Sequence, residues 1–245
     1  MDHPENLNNL FNSIGFGFPE NSDQLKDFDS LNKNFEFKGD ATKIDPRKIL
    51  NSLESSGANV KVSNVEYHKR TVLAAEIVFR LKDEWSLGHL KLQKLIYLCQ
   101  NAMNMPIHAN FLKQAMGPYD PKLMRSLDKQ FEEKQWFKFQ PDDFPKYIPL
   151  KKTGGHKEWY EIYFKNSASK VDFVIEEFRK MKTADVELVA TIFACWAGIK
   201  DSEGSINNEL LIAAVYKWSK EKEKFSREEI LKSIEWMVDK GITPK

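Results

Sequence analysis

The chain has 245 residues, 41% hydrophobic and 30% charged, an ordinary globular composition for one domain or two small ones. Its formal net charge of +1 excludes a bulk field that steers it toward nucleic acid or a membrane surface. Two cysteines exclude a disulfide framework, and the longest apolar run, 188–199, falls short of the roughly 20 residues a bilayer span needs.

The start, MDHPENLNNLF, has neither a basic stretch nor an apolar core of the secretory kind, so the expected location is cytoplasmic. Residues 1–43 carry four Lys against eight Asp or Glu. Phe11, Phe16, Phe18, Phe28, Phe35 and Phe37 are scattered there among Asn, Gly and Pro. This segment reads as an acidic tail, disordered or docked. Residues 44–165 read as a helical core with a Gly-Pro turn and a β-hairpin. Residues 166–245 read as a C-terminal helical bundle packed on that core.

Within the core, Asp45-Pro46 is a cap followed by proline, opening a helix that stops at Gly57. Ser63 to Glu66 has the capping-box spacing, for a helix reaching about Lys82. The third helix is the clearest: Leu92, Leu95, Ile96, Cys99, Ala102 and Met103 make one apolar stripe. Lys91, Gln93, Lys94, Tyr97 and Asn101 lie off that stripe and are expected mostly toward solvent. Residues 111–116 suggest a short strand and Gly117-Pro118 a turn. Asp120-Pro121 repeats the cap-plus-proline start, ahead of a Leu123, Leu127, Phe131 stripe. Residues 136–150 alternate aromatic and polar residues around a Pro-Asp-Asp turn, as a hairpin or wing does. After a flexible Gly154-Gly155 pair, helices are expected at about 167–181, 185–198, 206–219 and 226–239. The second of these is apolar nearly all round and therefore central. The expected fold is mainly α, a multi-helix domain with one small β-hairpin, winged-helix-like in parts.

The residues offer little for chemistry. His3, His68, His89, His108 and His156 form no ligand-spaced pair, and no CxxC occurs, so no metal or cofactor is expected. Cys99 and Cys195 sit among apolar residues and read as buried structural thiols rather than nucleophiles. Gly154-Gly155-His156-Lys157 lacks phosphate-loop spacing. Glu132-Glu133-Lys134 has the letters of a magnesium-dependent nuclease site but falls at a helix end. Lys138, Lys146, Lys151, Lys152 and Lys157 lie among Phe137, Phe139, Tyr147, Trp159 and Tyr160, a candidate set of nucleic-acid contacts. The plainer reading of that set is an aromatic core with a lysine rim.

The segment KLQKLIYLCQ (91–100), followed by QAMGPYDPKLM (114–124), resembles the Panacea family, the domain that includes SocA-like antitoxins. Lys91, Leu92, Lys94, Leu95, Tyr97, Gly117 and Pro118 match its helix and Gly-Pro pattern. A wider likeness runs through TVLAAEIVFRL (71–81), FLKQAMGPYDPKLM (111–124), GHKEWY (155–160) and IEWMVDKGITPK (234–245). It is to a bacterial domain found alone or fused to type I restriction specificity subunits. The resemblance implies a non-catalytic module of a restriction–modification or toxin–antitoxin system that binds a toxin or a restriction subunit. The residues expected to bind are Tyr97, Gln114, Gly117, Pro118 and Tyr119. The alternatives are a DNA-binding accessory protein using the lysine-rich hairpin and a metal-dependent nuclease relying on Glu132 or Asp143.

Overall fold

Three of the described helices start at a side-chain cap, and apolar spacing sets which faces are buried. The structure, a computed structural model, describes residues 64–141, 145–203 and 207–245. The 1–43 segment, the Asp45–Gly57 helix, the Ser63 cap and the Asp142-Asp143 turn lie outside the described residues. The elements in chain order are α1 (Asn64–Leu81), α2 (His89–Asn101), β1 (Leu112–Gln114), β2 (Gly117–Tyr119) and α3 (Pro121–Glu133). They continue with β3 (Phe137–Gln140), β4 (Lys146–Pro149), α4 (Lys157–Phe164), α5 (Ala168–Phe178), α6 (Thr183–Glu203), α7 (Asn208–Trp218) and α8 (Arg227–Asp239). Short 3-10 turns occupy Lys165–Ser167 and Lys220–Lys224. The fold is mainly α with two small antiparallel sheets, one hairpin more than the sequence suggests.

Caps act where the residues place them. Asp120 accepts hydrogen bonds from the backbone N–H of Lys122 and Leu123, each at 3.0 Å, with Pro121 at the first helical position of α3. Ser226 and Glu229 form a complete capping box at the start of α8. Asn207 caps α7 by accepting from Leu210 N–H at 2.9 Å. In α5, Val171, Val174, Ile175 and Phe178 repeat at helical spacing and are buried.

The core has α6 at its centre, with α2, α7, α8 and β2 packed against it. Burial on α6 goes all round its first half: Val186, Leu188, Val189, Ala190, Ile192 and Phe193 are each at most 3% exposed. A second group of contacts joins α1 to α2, α3, α4 and α5. One hydrophobic cluster runs through both groups. Among the described residues no helix is long and apolar enough to cross a membrane.

Three expectations are corrected. Gly117-Pro118 is not the turn: it begins β2, and the chain reverses at Ala115-Met116. Proline is tolerated there because a two-stranded ribbon leaves one edge of each strand unpaired, so its missing N–H costs nothing. Lys91, Gln93, Lys94 and Tyr97 do not face solvent: the first three are fully buried and Tyr97 is 7% exposed. Helix α2 is surrounded, so its polar residues point at irregular backbone instead of water. The stretch 157–164, read only as the sequel to a glycine pair, is helix α4.

Candidate binding site

The segment carrying the resemblance is the α2 helix and the β1–β2 hairpin, and the structure joins them. Lys94 Nζ donates to the Pro118 carbonyl at 2.5 Å. Gln93 Nε2 donates to the Asp120 carbonyl at 2.9 Å. One turn earlier on the helix, Lys91 Nζ donates to Ser86 Oγ, Arg179 O and Met181 O at 2.7–3.0 Å. The connection from α2 to β1 is pinned as well. Arg70 donates to the carbonyls of Ile107 and His108, and Gln100 both donates to and accepts from the Ala109 backbone. Apart from the Asp120 carbonyl, which also accepts from Met124 N–H of α3, these long polar side chains satisfy backbone carbonyls that no helix or sheet satisfies.

Gly117 is where the hairpin meets α6. Its φ is +89°, and an added Cβ would sit 2.7 Å from Thr191 Oγ1. Thr191 is itself fully buried, donating to the Glu187 carbonyl one turn back. The position therefore requires glycine twice over, for its dihedral and for its contact. At the hairpin's far end, Trp218 Nε1 donates to Gln114 O at 2.7 Å and Ser219 Oγ donates to Ala115 O at 2.8 Å. Lys113 lies over the Trp218 ring, 5.1 Å from its centroid.

Beneath the hairpin lies a buried ionic group. Glu187 on α6 is 1% exposed and accepts from the fully buried Lys222 and from Lys224, at 2.5 and 3.1 Å. Burial drives the Lys94 ammonium down to about 7; Lys222 pushes the same way and Glu187 opposes both. Burial also lowers Lys222 from its ordinary value, against the hydrogen bond to Glu187. Burial lowers Lys91 to about 8.

The expected binding residues divide by this geometry. Tyr97 is an internal residue, edge-on to Phe111 at 5.2 Å and to Phe193 at 6.1 Å, and burial raises its phenol. Gly117 and Pro118 are buried and Tyr119 is partly buried. Gln114 is exposed, as are Leu112, at 50%, and Lys113. The hairpin therefore turns β2 inward and leaves β1 outward.

The other candidates are placed elsewhere. Lys138, Lys146, Lys151 and Lys152 are exposed on and beside the β3–β4 hairpin. Lys157 is not grouped with them in function, because both oxygens of the buried Glu76 hold its ammonium, at 2.8 and 3.0 Å. Glu132 is exposed at the end of α3. Cys99 and Cys195 are free, buried thiols, pushed up by burial to about 12 and about 11. His89 stacks on Phe139 at 3.4 Å and contacts Asp128 at 2.9 Å.

Compared with known proteins, the chain matches no family model and no curated protein. The site therefore rests on its own geometry. Sequence reasoning missed Thr191, Glu187, Lys222, Trp218 and Ser219. Glu187 alone had a local signal, as the one carboxylate within the apolar stretch 186–199 of its helix. The others become part of the site only through long-range pairings, the shortest being Lys222 with Glu187 across 35 residues.

Proposed function

We propose that the chain is a non-catalytic protein-interaction module of a bacterial defence system, restriction–modification or toxin–antitoxin, and that a protein partner docks on strand β1. The observation that carries the reading is the asymmetry of one hairpin. β2 is clamped by Lys94 and packed on α6, while all three residues of β1 are exposed. A strand held in place from behind, with Leu112 half-exposed at its start, is preorganised for docking by side chains or by strand addition. The ionisable groups under the hairpin are committed to one another and to the Pro118 carbonyl, which favours a supporting role over a reacting one. The defence context is supported by the likeness of 91–100 and 114–124 to Panacea domains.

Co-expression with the products of the adjacent genes, followed by size-exclusion chromatography with light scattering, tests this. The chain should co-elute with one of them at fixed stoichiometry. Leu112→Asp should release that partner while leaving the helical circular dichroism unchanged. A complex indifferent to Leu112→Asp, or no complex with any neighbour, overturns the proposal.

A further inference from the structure

The β3–β4 hairpin has two unlike faces. Strand register sets Phe137, Phe139 and Tyr147 on one of them. That face is packed: Phe131 meets Phe137 at 5.7 Å and Tyr147 at 5.8 Å, and His89 stacks on Phe139. The opposite face carries the cross-strand pairs Lys138–Ile148 and Gln140–Lys146. Lys138 and Lys146 are diagonal neighbours there, about 7 Å apart. The turn after β4 adds Lys151 and Lys152, both exposed. Its start is fixed by Lys152 N–H donating to Gln135 O at 2.8 Å and Leu150 N–H to Trp136 O at 3.0 Å.

Among the described residues, none of these four lysines makes an ion pair. Elsewhere lysines commonly do: Lys69, Lys180, Lys232 and Lys240 each hold a carboxylate, and so does Lys157, five residues along from Lys152. Of the two carboxylates at the neighbouring end of α3, Glu133 is taken by Lys129 and Gln130, and Glu132 is exposed and pairs with none of the four. Among the described residues, the outer face thus presents four lysines that hold no carboxylate, on a short, anchored ribbon.

We propose that this face docks on the phosphate backbone of double-stranded DNA. Charge complementarity selects a polyanion. The inward turn of Phe137, Phe139 and Tyr147 selects a duplex, because among the described residues the face offers no exposed ring on which an unpaired base would stack. Lysine contacts to phosphate carry no sequence information, so the binding is sequence-independent and positions the protein rather than choosing a site. This surface is separate from β1 and goes beyond the protein-docking reading.

Fluorescence anisotropy with a labelled random-sequence duplex, from low to physiological salt, tests it. With two to four phosphate contacts, log K should fall with log salt at a slope of about −2 to −4. The Lys138→Glu, Lys146→Glu double variant should lose about tenfold or more in affinity at low salt, and its slope should flatten by about 2. Lys232→Glu, on α8, should change neither, and thermal melting should show all three proteins folded. No binding at low salt overturns the proposal. So does a double variant that binds as the parent does, or displacement of the duplex by single-stranded DNA at equal phosphate concentration.

Discussion

Lys91 and Lys94, one helical turn apart on α2, put two ammonium groups where water does not reach. Their donors are matched to neutral oxygens, for Lys91 the Ser86 hydroxyl and the Arg179 and Met181 carbonyls and for Lys94 the Pro118 carbonyl, but their charge is poorly compensated. Burial lowers them to about 8 and about 7, against about 10.4 in an unfolded chain. Lys134, lowered by burial to about 8, acts in the same sense. A depressed lysine means that the unfolded chain binds protons that the native chain does not, from the folded value up to the unfolded one. Stability should therefore rise as pH goes from about 7 toward about 10. Urea midpoints at three pH values in that window check this, and Lys94→Met should reduce the rise. A wild-type profile that is flat or falling between pH 7 and 9 would contradict the burial of these ammoniums.

At the scale of elements, the ionic group Glu187–Lys222–Lys224 ties the central helix α6 to the turn between α7 and α8. Glu187→Gln leaves the Lys222 ammonium buried without its counter-charge, which costs about 3–5 kcal/mol. The double variant Glu187→Gln, Lys222→Met removes both charges and should recover most of that loss, as read from denaturant unfolding. A double variant as unstable as the single one would mean that packing, not charge, is what the pair supplies. Elements like this one also show which parts of the fold were legible. Helix α3 was, because Asp120-Pro121 and its Leu123, Leu127, Phe131 stripe are local signals that tertiary structure leaves intact. The apolar helix α6 was, because a helix without a polar face has to be surrounded. The polar side of α2 was not. Spacing separates apolar from polar positions but cannot tell a lysine bound for water from one bound for a carbonyl 24 residues away. Helix α4 was hidden by its eight-residue length and its aromatic content, both of which also suit a strand. Of the candidate site, the sequence located the first strand but took Gly117-Pro118 for a turn and so missed the second, since β2 is held in place by Gly117 meeting Thr191 of α6.

For the molecule as a whole, the question is whether residues 64–245 open together or in parts. The predicted elements divide near 165 into a core and a C-terminal bundle packed on it, and α2 and α6, which lie on either side of that point, pack directly on each other. Tyr97 of α2 meets Phe193 of α6 edge-on at 6.1 Å, and β2 is packed against both helices. Exposing one helix therefore strips the other. Each carries one buried thiol, Cys99 on α2 and Cys195 on α6, and both are driven well above the usual thiol range by burial. Neither reacts until it is exposed, and once exposed each regains an ordinary thiol pKa, so labelling reports opening rather than intrinsic reactivity. Under native conditions with excess thiol reagent, peptide-level mass spectrometry should find Cys99 and Cys195 labelled at the same rate. Low denaturant should accelerate both equally, with the dependence of global unfolding. Cys195 labelling much faster than Cys99, with a shallower denaturant dependence, would show that the C-terminal helices open as a unit of their own. The α2–α6 contact would then be an interface between two parts rather than the centre of one core.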